Sequence, residues 1–248
     1  MKRKMRVLSI DFDYFQKVDL KTLAYYPDGH DLGTGISKLI WASHYASPID
    51  SEHLLKVDID MDKIYRIKRI IEDSYGPNVK ILICNSHKNI YQFIKDSYDG
   101  DSEYYEGVDI YNVDMHHDLF NNSPTLDCGN WVSHILKDIP GSSITWIANP
   151  ISKEAYGMDN DKFNMVSEDL EDLEGIEFDA IFLCRSDIWS PPHLDSYFLD
   201  LADFIIGTFD DVRGEKQVLE IRDCMPEIAQ IKQSMSDFEK EMNMGRES

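Results

Sequence analysis

The chain has 248 residues, 46 of them acidic against 25 basic, for a formal net charge of −21. A surface that negative repels phosphate backbones and anionic lipid, so no nucleic acid and no membrane surface is expected as a partner, and cationic ligands are favoured. No apolar run approaches the roughly 20 residues of a membrane span; the start MKRKMRVLSIDF passes from a short basic stretch into a strand-like run, and a soluble cytoplasmic protein with one large domain over 1–248 is expected.

In chain order, RVLSID (6–11) is a short apolar, β-branched run leading into Asp11-Phe12-Asp13, and IYRIKRIIEDSYG (64–76) has helical periodicity. VKILIC (79–84) reads as a strand ending at Asn85-Ser86-His87, with KNIYQFIKDSY (88–98) a helix behind it. GVDIYNV (107–113) is a strand that runs into Asp114-Met115-His116-His117-Asp118, followed by a helix over WVSHILKDI (131–139). SITWIA (143–148) is a strand, DKFNMVSEDLEDL (161–173) a helix with a solvated acidic face, and FDAIFLC (178–184) a strand running into Arg185-Ser186-Asp187. Further helices are expected over 193–206 and 215–241, the latter interrupted by Pro226. Strands buried on both faces, alternating with helices, predict an α/β fold: a three-layer αβα sandwich with a mostly parallel sheet. Cys84, Cys128, Cys184 and Cys224 form no CxxC pair, which argues against a disulfide framework and a thiolate zinc site. Cys84 and Cys184 end apolar runs and read as packing residues.

In open parallel sheets, ligands bind beyond the carboxyl ends of the strands, where the polar residues of this chain fall. Asp114, His116 and Asp118 share one face if the segment is extended, and offer O, N and O donors suited to a borderline divalent ion. Taken alone, DxHxD is equally a polar strand exit. Asp11 and Asp13 likewise lie two apart; a DxD also opens the haloacid-dehalogenase phosphatases, and GTFDD (207–211) imitates their distal acidic pair. His87 stands at a strand end before a helix, as a cap or as another ligand. Convergence of these groups on one edge favours a metal site.

Together the residues resemble the arginase/ureohydrolase superfamily, whose dinuclear manganese site combines a DxHxD segment, an isolated His and a DxD segment. Asp114-His116-Asp118, His87 and Asp11-Asp13 occupy those roles here. The order departs from arginases, in which DxD follows DxHxD. IDFDYF is more similar to the DLDFF-type segment of uncharacterised arginase-like proteins and of the arginase-like peptide arginases of ribosomal peptide (RiPP) biosynthesis. LDCGNWV (126–132) resembles the segment carrying a substrate-binding Asn and a proton-shuttling His; Asn130 matches the former, and His134 is a candidate for the latter. The motifs spread over roughly residues 6–192 and leave the C-terminal quarter unmatched.

The resemblance implies a sheet of rewired strand order and two Mn²⁺ per chain activating a bridging water. Asp114 and Asp11 would bridge the ions, His87 and Asp118 complete one site, and His116 and Asp13 the other. Asp13 or a metal-bound carboxylate would relay a proton, with His134 or His117 exchanging it with solvent. The implied activity is conversion of arginine in a precursor peptide to ornithine plus urea. Arg185 is expected to pair with an acidic group or a substrate carboxylate, and Trp131, with Tyr14, Phe15 and Trp189, to line a groove or else to fill the core. A single-zinc deacetylase-like site from Asp114, His116 and Asp187, the phosphatase, and a non-catalytic metal-binding protein are the alternatives. A homo-oligomer is compatible with the sequence.

Overall fold

The computed structural model describes residues 2–27, 33–74, 79–120, 123–157, 163–209 and 219–222. The chain begins with β1 (Arg3–Asp11), a 3₁₀ turn (Phe12–Phe15), β2 (Gln16–Lys17), α1 (Leu20–Leu23), α2 (Thr34–Ala46), α3 (Pro48–Leu54) and β3 (Asp58–Ile59). It continues through α4 (Met61–Asp73), β4 (Lys80–Cys84), α5 (Asn89–Gly100), β5 (Tyr105–Asp114), α6 (Trp131–Asp138), β6 (Ser143–Ala148) and α7 (Ser152–Tyr156). β7 (Met165–Ser167), a second 3₁₀ turn (Leu170–Leu173), β8 (Ala180–Cys184) and α8 (Asp195–Thr208) follow.

Six strands form one parallel sheet in the order β4-β8-β1-β5-β6-β7, and β2 pairs antiparallel with β3 beside it. Helices flank the central sheet, as expected for a three-layer αβα sandwich. The two-residue period of each strand divides the core into two. Leu8, Ile10, Ile81, Ile83, Ile181 and Leu183 face α2, α4 and α8, whereas Met5, Val7, Val108, Ile110, Ala180 and Phe182 face α5 and α6. Asp11, odd-numbered like Met5 and Val7, and Asp114, even-numbered like Val108 and Ile110, continue the α5/α6 face at the carboxyl edge. The chain leaves β1 for β4 on one side, and leaves β5 for β6 on the other. The crevice between β1 and β5 is therefore the topological switch point, where ligands of open parallel sheets bind.

Two expectations need correction. Residues 163–173 are not one helix: β7 adds an edge strand beside β6, and a short 3₁₀ turn follows in which Asp169 caps Glu171 N at 2.9 Å. Its leucines, Leu170 and Leu173, pack into the α4/α8 core at near-helical spacing, which is what the periodicity had detected. Helices α2 and α3 were not expected; the apolar residues of α2, Ile36, Leu39, Ile40, Trp41, Ala42 and Tyr45, spread around the helix and give no sharp stripe. Of the helix expected over 215–241, only 219–222 is described, and it is irregular. No helix among the described residues is long and apolar enough to cross a membrane.

Candidate metal centre

The strand ends converge because each leaves the sheet in a tight, side-chain-capped turn. Asp11 closes β1 and accepts a hydrogen bond from Asp13 N at 3.2 Å, so the chain turns at once into 3₁₀ geometry. Asp11 and Asp13 therefore do not lie on one extended face, and they enter different ligand groups. Asp114 closes β5 in the same way, accepting from His116 N at 2.7 Å. Asp118, with φ of 51°, curls the chain back, and its carboxylate accepts from the Trp131 indole. DxHxD converges through a turn, and the extended arrangement expected from its spacing is corrected. Asp and Asn tolerate this left-handed conformation better than most residues.

Two groups of potential ligands result: Asp11, His87 and Asp114, and Asp13, Asp114 and His116, each with its donor atoms within 4.8 Å of one another and every member buried. Asp114 belongs to both. His87 Nδ1 lies 3.1 Å from Asp11 Oδ2, 3.3 Å from Asp114 Oδ2 and 3.1 Å from Asp118 Oδ2. His116 Nδ1 lies 2.9 Å from Asp13 Oδ2 and 3.7 Å from Asp114 Oδ1. The far nitrogen of His87 meets Ser9 Oγ at 2.9 Å, Asn112 Nδ2 donates to Asp114 at 3.1 Å, and Ser186 Oγ donates to Asp11. Such outer partners fix the orientation of ligating side chains. Ser9 and Asn112 were not singled out in the sequence, although two polar residues facing inward within apolar strands are a readable signal. Ser186 offered none.

The charges do not balance among themselves. Burial, then the neighbouring Asp11, pushes the Asp13 carboxyl up to about 7. Burial and the charge of Asp114 push Asp118 well above the carboxylate range. Burial would lower both histidines, but Asp118, Asp11 and Asp114 hold His87, and Asp13 and Asp114 hold His116, well above the ordinary value of 6.5. Asp114 is pushed up by burial, yet the hydrogen bonds from His116 and His87 outweigh this and hold it low. Asp13 Oδ2 and His116 Nε2 are buried and make no hydrogen bond. Asp13 Oδ2 makes only an ion-pair contact, with the other ring nitrogen of His116, Nδ1. Two three-ligand sets of mixed O and N donors, holding three carboxylates with Asp118 beside them, and the orphaned polar atoms fit divalent ions of the manganese-to-zinc series and leave coordination positions open.

A cavity of about 340 Å³ opens onto Asp11, His87, His116 and Asp118. Phe120, Tyr156 and Trp189 supply its aromatic wall, their ring centroids 6.2, 4.8 and 4.7 Å from that of His116, and Asp127 and Cys128 also border it. Several expected site residues lie elsewhere. His134 sits on α6 with its ring 6.0 Å from Tyr91, and His117 packs against Phe120 and Trp146 while its Nδ1 accepts from Leu119 N. Neither lines the cavity. Asn130 is buried and staples its loop by bonding Asp127 N and Thr125 O at 2.8 and 3.0 Å. Trp131, Tyr14 and Phe15 are core residues; Trp189 alone of that aromatic set borders the cavity. Arg185 is buried against Asp187 at 2.5 Å and Asp195 at 3.2 Å. Asp187, so engaged, belongs to neither ligand group, which leaves a single-zinc site without its expected third ligand. In GTFDD, residues 210 and 211 lie outside the described residues. No family model, no curated protein and no solved structure matches the chain.

Proposed function

We propose that the protein is a manganese-dependent hydrolase of guanidinium C–N bonds, acting on arginine side chains of a peptide and releasing ornithine and urea. The observation that carries this reading is the pair of three-ligand groups sharing Asp114 at the switch point of the sheet. Divalent ions held by such groups lower the pKa of water and supply a nucleophile near neutral pH. Four carboxylates offset the charge of two such ions, which makes entry of a cationic side chain tolerable. The rings of Phe120, Tyr156 and Trp189 offer flat faces against which a planar guanidinium stacks.

The chemistry adds water to the guanidinium carbon and breaks the bond to the side-chain nitrogen, which leaves as an amine and needs a proton. A carboxyl beside the cavity must carry it. Asp118 borders the cavity and belongs to neither ligand group, whereas Asp13 does not line the cavity; Asp118, not Asp13, is therefore the carboxyl that relays it. Its Oδ2 is steadied by the Trp131 indole, so Trp131 acts by holding the relay and not by touching substrate.

The test is mass spectrometry of a peptide with an internal arginine after incubation with protein and Mn²⁺. A mass decrease equal to the difference between arginine and ornithine, with one urea per event, is expected, and chelator should abolish it. An unmodified peptide at full metal loading overturns the reading. Rapid urea release from free arginine with an untouched peptide overturns the peptide substrate and spares the metal chemistry.

A further inference from the structure

Residues 219–222 lie far along the sequence from every motif of the metal centre, yet Arg222 is only 2 % exposed. Its guanidinium is spread over three acceptors. Nε and Nη2 donate to the two oxygens of Asp195 at 3.0–3.2 and 2.6 Å, Nη2 also donates to Ser190 O at 2.7 Å, and Nη1 donates to Asp187 O. The Arg222 backbone N–H adds a bond to Asp195 Oδ2 at 2.7 Å, and Arg185 Nη1 reaches Glu220 O at 2.7 Å. Both main-chain acceptors belong to the turn that follows β8. That turn carries two groups of the site: Ser186, whose hydroxyl donates to Asp11, and Trp189, which walls the cavity.

We propose that Arg222 is a positioning residue, a latch delivered by the 219–222 segment that fixes the 185–190 turn and through it sets Ser186 and Trp189 against the metal centre. Ser186 has φ of 51°, a conformation that a serine holds only when its surroundings over-determine it. From within the turn, the carbonyl of Ser186 accepts from Trp189 N and Ser190 N at 2.8 and 2.9 Å. From behind, Arg222 grips the carbonyls of Asp187 and Ser190. Only a planar fork with several donors satisfies a carboxylate and two carbonyls together; a lysine ammonium, a single point of charge, does not. The latch also gives the unmatched C-terminal quarter a role at the site.

The experiment compares wild type with Arg222→Met and Arg222→Lys. In metal-free protein, amide exchange should show protection at Trp189 and Ser190 lost in Arg222→Met and partly lost in Arg222→Lys, while β1, β5 and β8 keep theirs. Metal affinity should fall about 10- to 100-fold, the usual effect of losing an outer partner. Adding Ser186→Ala to Arg222→Met should cost little more, because both changes release the same bond to Asp11. Unchanged protection at those amides, a loss spread evenly over the sheet, or strictly additive effects on affinity would each overturn the latch. Should Arg222→Met fail to fold, a lysine variant with wild-type protection overturns it as well. A wild type that binds no metal sinks the hydrolase reading, and the exchange result then decides the latch alone.

Discussion

Residues 185–187 run between two buried clusters of charge that follow opposite rules. Behind them, Arg185 and Arg222 face Asp187 and Asp195, two charges of each sign, with each guanidinium engaged by several acceptors. In front, Asp11, Asp13, Asp114 and Asp118 surround only two imidazoles, and Asp13 Oδ2 and His116 Nε2 make no hydrogen bond. A cluster that exists to hold the fold has to balance its own charge, because each buried ion costs several kcal/mol unless paired. A cluster that exists to hold something else keeps an excess. Burial is nearly equal in the two; charge balance distinguishes them.

The largest expected effect follows from the sharing of Asp114. Asp114→Ala removes a ligand from both groups at once, so metal content and turnover should both vanish while circular dichroism shows a folded chain. Retention of metal in that variant would break the comparison. Next in size is a contrast in stability. Arg222→Met leaves Asp195 with one partner fewer and should cost about 3–5 kcal/mol, read by urea denaturation in chelator. Asp13→Asn under the same conditions at pH 8 should cost nothing or stabilise, because it removes one of the excess charges. Equal losses in the two variants would mean that the front cluster is structural as well. Smaller again is the stabilisation by the ion itself: about 2.7 kcal/mol per site at a concentration a hundred times its Kd, absent in Asp114→Ala.

The members of the front cluster were legible in the sequence, and the reason is local. The five buried strands read from apolar, β-branched runs are all present, and the acidic and imidazole groups after them were found because strand ends in a parallel sheet must share an edge. β7 was lost because three residues cannot establish a period, and its neighbours Leu170 and Leu173 imitate a helix. Geometry beyond the strand ends was not legible. Asp13 and Asp118 reach their places through a 3₁₀ turn and a left-handed residue, which spacing arguments treat as extended chain. Asn130, His134 and Arg185 are ordinary polar residues by sequence, and only tertiary packing turns them away from the cavity. The pairing of Arg222 with Asp195 spans 27 positions and carries no periodic signal at all.

The last prediction concerns pH, where the front cluster should give opposite trends with and without metal. In metal-free protein the raised carboxyl of Asp13, at about 7 against an ordinary 3.8, binds its proton more tightly when folded, so its contribution to stability is lost as pH rises between those values. His87 and His116, held well above 6.5, act in the same direction: their contribution is complete below 6.5 and disappears as pH climbs through their folded values. Asp114, held low, changes only in the acid range and leaves the interval from pH 6 to 8 untouched. Metal-free stability should therefore fall across that interval, as far as this cluster controls it. Ligands bind an ion only after giving up their protons, so metal affinity should rise over the same interval, by up to about tenfold per pH unit for each proton displaced. Calorimetry of Mn²⁺ binding in buffers of different ionisation enthalpy counts those protons directly. An affinity independent of pH from 6 to 8, with no proton released, would mean that the ion does not enter among these histidines and carboxylates, and the excess charge of the front cluster would then need another explanation.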